Sequence, residues 1–483
     1  MRFCPPRILA LAVLTALAML SWIGCGGGST SSASQSTLVT LSGSTVSFAG
    51  QATGNASPSA TVTLSNSGTE TVTITGVSIA GTNASEFAQS NTCGSSVAAG
   101  ASCTITVTFT PASTGLRTAT LSVADNASGS PQTVALSGAG ITTQQAAMGT
   151  LGTAVGASTS CANVSASGGT TGATCYVVSV SNCPGGVADQ DAWVKVNNPG
   201  AAKGTITFLT GGGGAPDYYD TNFTFGTNVV DTVSQAGFTT AQINFAAQPT
   251  GFPSGGTQAG WLTGPGGIRA LSCRFSTVSK WIYDNLRQPG APFCHTGNSG
   301  GSAAAGYSLA YHGFDAYYNY LELTSGPPFT RVDKGCICQP ATFFQTQCGQ
   351  GALNECYLSA DGGSFVDPAY GPTTHQCTSS MAGATTFQQQ FYDDSIATPN
   401  ASYSFPNVVI HFVYGGQDTG SAEPQGEEWI NGGSVSPDGT FTSPPISSKG
   451  GITQACVPTA PHPIADDQAG AMTIANDLIA NCH

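Results

Sequence analysis

From Leu38 to Ile141 apolar and polar residues alternate with a period of two. Val62 and Leu64 alternate with Thr61, Thr63 and Ser65, and the pattern returns in Val72 and Ile74, in Ile105, Val107 and Phe109, in Leu121 and Val123, and in Val134 and Leu136. Successive side chains of a strand point to opposite faces, so this alternation predicts strands with one buried face each. Turn signals such as Asn66-Ser67-Gly68 recur every ten residues or so. The segment therefore reads as an antiparallel β-sandwich. Its titratable residues Glu70, Glu86, Arg117 and Asp125 are scattered, which favours a spacer or adhesion module over a catalytic one.

The pattern then changes. Residues 142–160 are small and polar and read as a linker. From Cys161 to His483 short apolar runs alternate with longer mixed segments. Strands are expected at Gly204–Thr210, Ala241–Ala247, Phe293–Thr296, Tyr318–Leu323 and Val408–Tyr414. Helices are expected at Ala270–Leu286, where Val278, Ile282 and Leu286 lie four apart, at Ser302–His312, and at Ala465–Ile479. Strands alternating with helices predict a mostly parallel sheet covered on both faces. The fold class is thus multidomain, an all-β sandwich followed by an α/β domain.

Composition narrows the partners. Charged residues make up 8% of the 483, against about 25% in average proteins. Lys+Arg is 12 against Asp+Glu 25, a net charge of −13. A nucleic-acid partner needs clustered cations and is not expected. At the N-terminus, Arg2 and Arg7 precede an apolar run from Ile8 to Ile23, short for a spanning helix. The run ends at Gly24-Cys25, followed by a Gly/Ser stretch to Thr37. This resembles a bacterial lipoprotein signal, with residues 1–24 removed, Cys25 acylated and 25–37 a flexible tether. Trp22 stands where that pattern usually has Leu, which keeps ordinary signal-peptidase cleavage as the alternative. Any membrane association is expected only through Cys25. Removing Cys4 and lipidating Cys25 leaves 14 of the 16 cysteines, an even number suited to disulfides in an exported chain.

The candidate chemistry lies in the second domain. Gly297-Asn298-Ser299-Gly300-Gly301 fits G-x-S-x-G, although a chain with 63 Gly in 483 residues holds about one such pentapeptide by chance. Its place between a strand and a small-residue helix gives it weight, because a nucleophile elbow needs both. The Gly300 N–H at the helix start can donate to an oxyanion. Gly211 to Gly214 follow an earlier strand and expose further donors, Gly213 and Gly214 being the candidates. An acid and then a His are needed in chain order. Asp418 lies just past the buried-strand pattern Val408–Tyr414; Asp333, Asp393, Asp394 and Glu423 are rivals. Of six histidines, His295, His312, His375, His411 and His483 sit in strands, at a helix end, among cysteines or at the terminus. His462, in a loop before the last helix, remains as the base.

The order Gly-rich loop, Gly-x-Ser-x-Gly, Asp and His over residues 162–483 resembles the secreted α/β-hydrolases, with some similarity to pectin acetylesterases and Notum-type carboxylesterases. The first domain resembles the Hydin-related Ig-like, or choice-of-anchor D, modules through Leu64-Ser65-Asn66-Ser67-Gly68, Cys103–Pro111 and Leu136-Ser137-Gly138. That resemblance implies a Cys93–Cys103 bridge closing a hairpin. The hydrolase resemblance implies ester cleavage by Ser299, His462 and Asp418, with an oxyanion hole from Gly213, Gly214 and Gly300. No metal or nucleotide motif is present in the sequence, so no cofactor is expected. Residues 324–400 are expected to form a lid with five cysteines, an odd number that requires a bridge outside the group. A zinc site is the alternative for Cys336-x-Cys338. Cys273 and Cys294 flank the helix before the motif and can brace it. A non-catalytic adhesin or glycan-binding lipoprotein, and an acyltransferase on the same fold, are the competing functional readings.

Overall fold

The computed structural model describes residues 38–113, 115–141, 149–161, 173–200, 202–211, 218–220, 228–245 and 260–338, then 343–345, 348, 352–354, 356, 365–371, 376–380 and 385–483. The first domain holds β1 (Val39–Leu41), β2 (Thr45–Ala52), β3 (Ala60–Asn66), β4 (Val72–Ala80) and β5 (Phe87–Asn91). It continues with β6 (Ser96–Val97), β7 (Ser102–Phe109), β8 (Gly115–Asp125) and β9 (Gln132–Ile141). One sheet runs β1-β3-β7-β5 and the other β2-β9-β8-β4-β6. Every apolar residue of the period-two pattern named above, from Val62 to Leu136, is buried in one core. Phe48, Phe87 and Phe109 pack ring to ring at its centre. The buried Asn66 side chain secures the expected turn: its amide donates to the Glu70 and Val97 carbonyls and its oxygen accepts from the Gly68 N–H. Cys93 and Cys103 are bonded.

The second domain is built on one nine-stranded sheet. Its strands are β10 (Thr153–Thr159), β11 (Thr174–Ser181), β12 (Gln190–Asn197), β13 (Thr205–Leu209), β14 (Thr239–Asn244), β15 (Phe293–Asn298) and β16 (Tyr320–Thr324). Two short pairs lie outside it, β17 (Phe343–Gln345) with β18 (Ala352–Asn354), and β19 (Ser404–Phe405) with β21 (Ser447–Ser448). The sheet is completed by β20 (Val409–Gly415) and β22 (Ile452–Val457). The order is β10-β11-β12-β14-β13-β15-β16-β20-β22. The first three pairings, from β10 to β14, are antiparallel and the remaining five parallel.

Helices cover both faces. Ile268–Asn285 and Gly300–His312 pack against the face carrying Leu209, Leu321, Leu323, Ile410 and Phe412. Val229–Gln235 and Gln468–Asn481 cover the other, where Ile206, Phe208, Tyr320 and Val413 point. These strands are buried on both faces, so they read as short apolar runs rather than alternations.

Part of the linker expectation is overturned. Residues 153–159 form β10, paired in register with β11 from Thr153 opposite Ser181 to Thr159 opposite Cys175. Composition hid this strand because it is an edge strand of small residues, and its fit depends on their smallness. A β-carbon at Gly156 would run into the Trp281 ring, which itself packs edge-on to Tyr176 with centroids 5.4 Å apart.

Seven disulfides join Cys93 to Cys103, Cys161 to Cys175, Cys183 to Cys273, Cys294 to Cys482, Cys336 to Cys377, Cys338 to Cys356 and Cys348 to Cys456. Cys273 and Cys294 brace the helix region through separate partners, not each other. Cys348–Cys456 is the bridge that the odd count between 324 and 400 required. Cys336 and Cys338 each sit in a disulfide, which removes the zinc alternative for that pair. The fit of β10 makes Gly156→Leu destabilising by about 1–3 kcal/mol through overpacking against Trp281. The exposed neighbour change Val155→Thr alters stability by less than about 0.5 kcal/mol. Urea midpoints of the two variants check both values.

Candidate active site

Residue 299 lies at the turn between β15 and the helix Gly300–His312, with φ 52° and ψ −114°. A non-glycine residue at positive φ is held there only by its surroundings. Those surroundings are the two motif glycines. A β-carbon on Gly297 would come within 2.5 Å of the Gly301 carbonyl carbon, and one on Gly301 would strike the Leu209 carbonyl at the end of β13. Only a strand, turn and helix bare at both positions close this tightly. The Ser299 carbonyl accepts from the Ala303 N–H at 2.9 Å and the Ser302 hydroxyl at 2.6 Å. The Ser299 side chain makes no capping bond to the helix and is half-buried. Gly300 is the first helical residue, and an N–H at that position has no partner within its helix.

The exit of β13 runs beside the turn. A β-carbon on Gly211 would lie 3.3 Å from that of Ser299, so the Gly-rich segment starts against the serine. Gly213 and Gly214 lie outside the described residues, as do Cys25 and His375. Beyond that segment, the Tyr218 hydroxyl accepts from the Ala465 N–H at 2.9 Å. Asp220 meets Lys195 of β12 in a buried ion pair, and the Gln242 amide donates to the same carboxylate at 3.1 Å.

Asp418 and His462 are brought together, with Nδ1 of His462 2.7 Å from Oδ2 of Asp418. Asp418 is buried and His462 is 39% exposed. Burial alone would raise the Asp418 carboxyl. The hydrogen bond and charge of His462, the Gly420 N–H and the Ser325 hydroxyl together hold it below the usual carboxylate range. An ionised Asp418 can only accept, so His462 carries a proton on Nδ1 and leaves Nε2 as the basic nitrogen.

Two residues tie this pair to the turn at 299. Asn298 Oδ1 accepts from Thr324 Oγ1 at 2.9 Å and from the Ile464 N–H at 3.4 Å. The Ser299 N–H donates to the Thr324 carbonyl at 2.9 Å. Ser325, next in the chain, donates its hydroxyl to the His462 carbonyl at 2.7 Å. Sequence reasoning missed Asn298 and Ser325. The available signal for Ser325 was its position just past a parallel strand and before Gly326-Pro327-Pro328.

The rival acids are committed elsewhere. Asp333 pairs with Arg331, Glu423 accepts from the Cys348 N–H, Asp393 accepts from Gln389, and burial pushes Asp394 up to about 7. His295 and His312 are buried, which lowers them to about 3 and about 4. His411 contacts Thr453 and Asp477.

Residues 37–133 match the family model described as ASH, Abnormal spindle-like microcephaly-assoc'd, ASPM-SPD-2-Hydin, and the first domain is an Ig-like sandwich of that kind. No curated protein matches the chain. Among solved structures the chain is similar to a dienelactone hydrolase from Anabaena variabilis, at 13% identity over 64% of this chain and 96% of that one, with TM-score 0.35. It is also similar to acetyl xylan esterase 1 from Thermoanaerobacterium sp., at 12% identity over 70% and 92%, with TM-score 0.39. A third similarity is to carboxyl esterase 2 from the fungus Tuber melanosporum, at 15% identity over 65% and 89%, with TM-score 0.36. The sheet order and the turn at 299 make the second domain an α/β-hydrolase fold.

The depressed Asp418 carboxyl has a stability consequence. A carboxyl lowered on folding contributes stability above its unfolded pKa of about 3.9, and loses it as pH falls through the folded value. The stability gap between the natural protein and Asp418→Asn is therefore full at pH 7 and narrows below about pH 4. Urea titrations at pH 5, 4 and 3, where His462 is already protonated, measure it, and a gap that widens over that range would contradict the assignment.

Proposed function

We propose that the second domain is an exported serine esterase in which Ser299, His462 and Asp418 cleave carboxylic esters through an acyl-enzyme. The observation that carries this reading is the strained turn at Ser299 with the Asp418–His462 pair tethered beside it through Ser325 and Asn298.

Each part has a chemical task. His462 Nε2 takes the Ser299 proton as Oγ attacks the ester carbonyl. The tetrahedral intermediate collapses by breaking the bond to the alcohol oxygen, which receives that proton from His462. Water then adds to the acyl-enzyme with His462 again as base, and the acid leaves as Ser299 is re-protonated. Asp418 fixes the His462 tautomer and stabilises the imidazolium. The oxyanion is held by the Gly300 N–H and by donors from the segment after Gly211, Gly213 and Gly214 being our candidates; one such donor is worth about 3 kcal/mol. The acyl group is carried entirely by protein groups, and acetyl or other esters of glycans are the substrate class we favour.

Export is supported by the disulfides. All fourteen cysteines other than Cys4 and Cys25 are paired, as expected of an oxidising compartment. No helix among the described residues is long and apolar enough to cross a membrane. From Gly24-Cys25 at the end of the N-terminal apolar run, we propose lipid on Cys25 as the anchor.

Ser299→Ala abolishes p-nitrophenyl acetate hydrolysis and labelling by a fluorophosphonate, and Asp418→Asn lowers kcat by about 10⁴-fold. Full turnover in Ser299→Ala would sink the proposal, and partition of acetyl to an added alcohol rather than water would favour the transferase reading. Cys25→Ser moves the protein from the membrane to the soluble fraction of fractionated cells; retention in the membrane would refute the anchor.

A further inference from the structure

Ser325 is fully buried at the end of β16 and has φ 43°. A left-handed conformation favours glycine, since an L side chain there crowds its own backbone. The backbone is pinned, because the Ser325 N–H donates to the Val413 carbonyl at 3.0 Å. A glycine would meet every backbone demand of this position, so the serine sits against the local conformational preference.

The hydroxyl accounts for that. It donates its one proton to the carbonyl of His462 at 2.7 Å, and the ring of that same residue is 2.7 Å from the Asp418 carboxylate. Asp418 follows β20 and His462 follows β22, so the acid and the base come from different strands. Ser325 follows β16, whose neighbour β15 delivers Ser299, and the Ser299 N–H donates to the Thr324 carbonyl. One side chain thus meets the backbone of His462, the partner of Asp418, while its own backbone adjoins the strand end that fixes the turn at Ser299.

Resting on the serine-esterase reading, we infer that Ser325 is a positioning residue that locks the acid–base pair to the nucleophile turn. It touches no reacting atom. It sets where the His462 ring sits and keeps its Nδ1 proton directed at Asp418.

The test uses the full chain with Ser325→Ala and Ser325→Gly. Both remove the hydroxyl, while only glycine relieves the positive φ. The Gly variant is therefore more stable to urea than the Ala variant, yet both lose kcat on p-nitrophenyl acetate by about 10²-fold, with KM changed less than about twofold. A role confined to stability would return activity along with stability, so a Gly variant with the natural kcat overturns the inference.

A second readout is independent of turnover. The downfield Nδ1 proton resonance of His462, identified by its loss in His462→Gln, disappears or broadens in both Ser325 variants. If it is unchanged in both, the inference is overturned. Failure of the esterase reading is separable: it shows as full turnover in Ser299→Ala, and the resonance then decides the role of Ser325 alone.

Discussion

Residue 299 sits at φ 52°, ψ −114°, and much of the second domain is arranged to keep it there. The turn closes only because Gly301 lies flush on the Leu209 carbonyl and Gly297 on Gly301. That contact requires β13 and β15 to be adjacent and parallel, which they are, with Leu209 opposite Gly297. The same register aims the exit of β13 at the serine, so Gly211 arrives beside it. One steric condition therefore places Ser299 and starts the Gly-rich segment that follows. The helix Gly300–His312 obeys it too: it opens with Gly300-Gly301-Ser302-Ala303-Ala304, residues small enough to sit against the sheet.

Much of this was legible in the residues, for physical reasons. The sandwich strands are half-buried, and their alternation carries the information directly. The central strands β13, β15, β16 and β20 are buried on both faces and stand out as short apolar runs. Strand β10 was not legible. It lies at the sheet edge, its side chains are small, and its pairing with β11 is set by contacts with Trp281 and Tyr176 that lie far away in sequence. The candidate site divides in the same way. Ser299 announces itself by local backbone strain, which dictates neighbouring glycines, and Asp418 and His462 by strand ends and loop position. Ser325 and Asn298 act through hydrogen bonds to residues more than 130 positions away in the case of Ser325–His462. No local pattern encodes such a partner.

A chain with 8% charged residues has few ion pairs with which to fix its loops, and covalent bonds take up part of that task. Cys294 lies in β15, the strand that delivers Ser299, and is bonded to Cys482 beyond the last helix. Cys456 lies in β22, six positions before His462, and is bonded to Cys348 in the long insertion after β16. Both bridges close loops of more than 100 residues, where cross-linking removes the most unfolded-state entropy in the chain model. They also fasten the strands leading to Ser299 and His462. The insertion is bonded within itself by Cys336–Cys377 and Cys338–Cys356, and Cys348–Cys456 fastens it to the sheet.

The buried carboxylates divide by the donors around them. Burial raises Glu322, which sits in the middle of β16 with Thr296 donating to one oxygen. Burial likewise raises Asp394 under the helix Ile268–Asn285 to about 7. Both therefore favour the neutral form far more than an exposed carboxyl does. Asp418 experiences the same desolvation, but the donors around it outweigh that cost. A neutral acid facing His462 would compete for the wrong tautomer and give no charge to offset the imidazolium. The ionised Asp418 can only accept and so fixes the Nδ1–H tautomer of His462, and the donors that face it come from separate places in the chain, at Gly420 and His462. The groups that favour a charge at Asp418 thus come from the segments that leave the ends of β20 and β22.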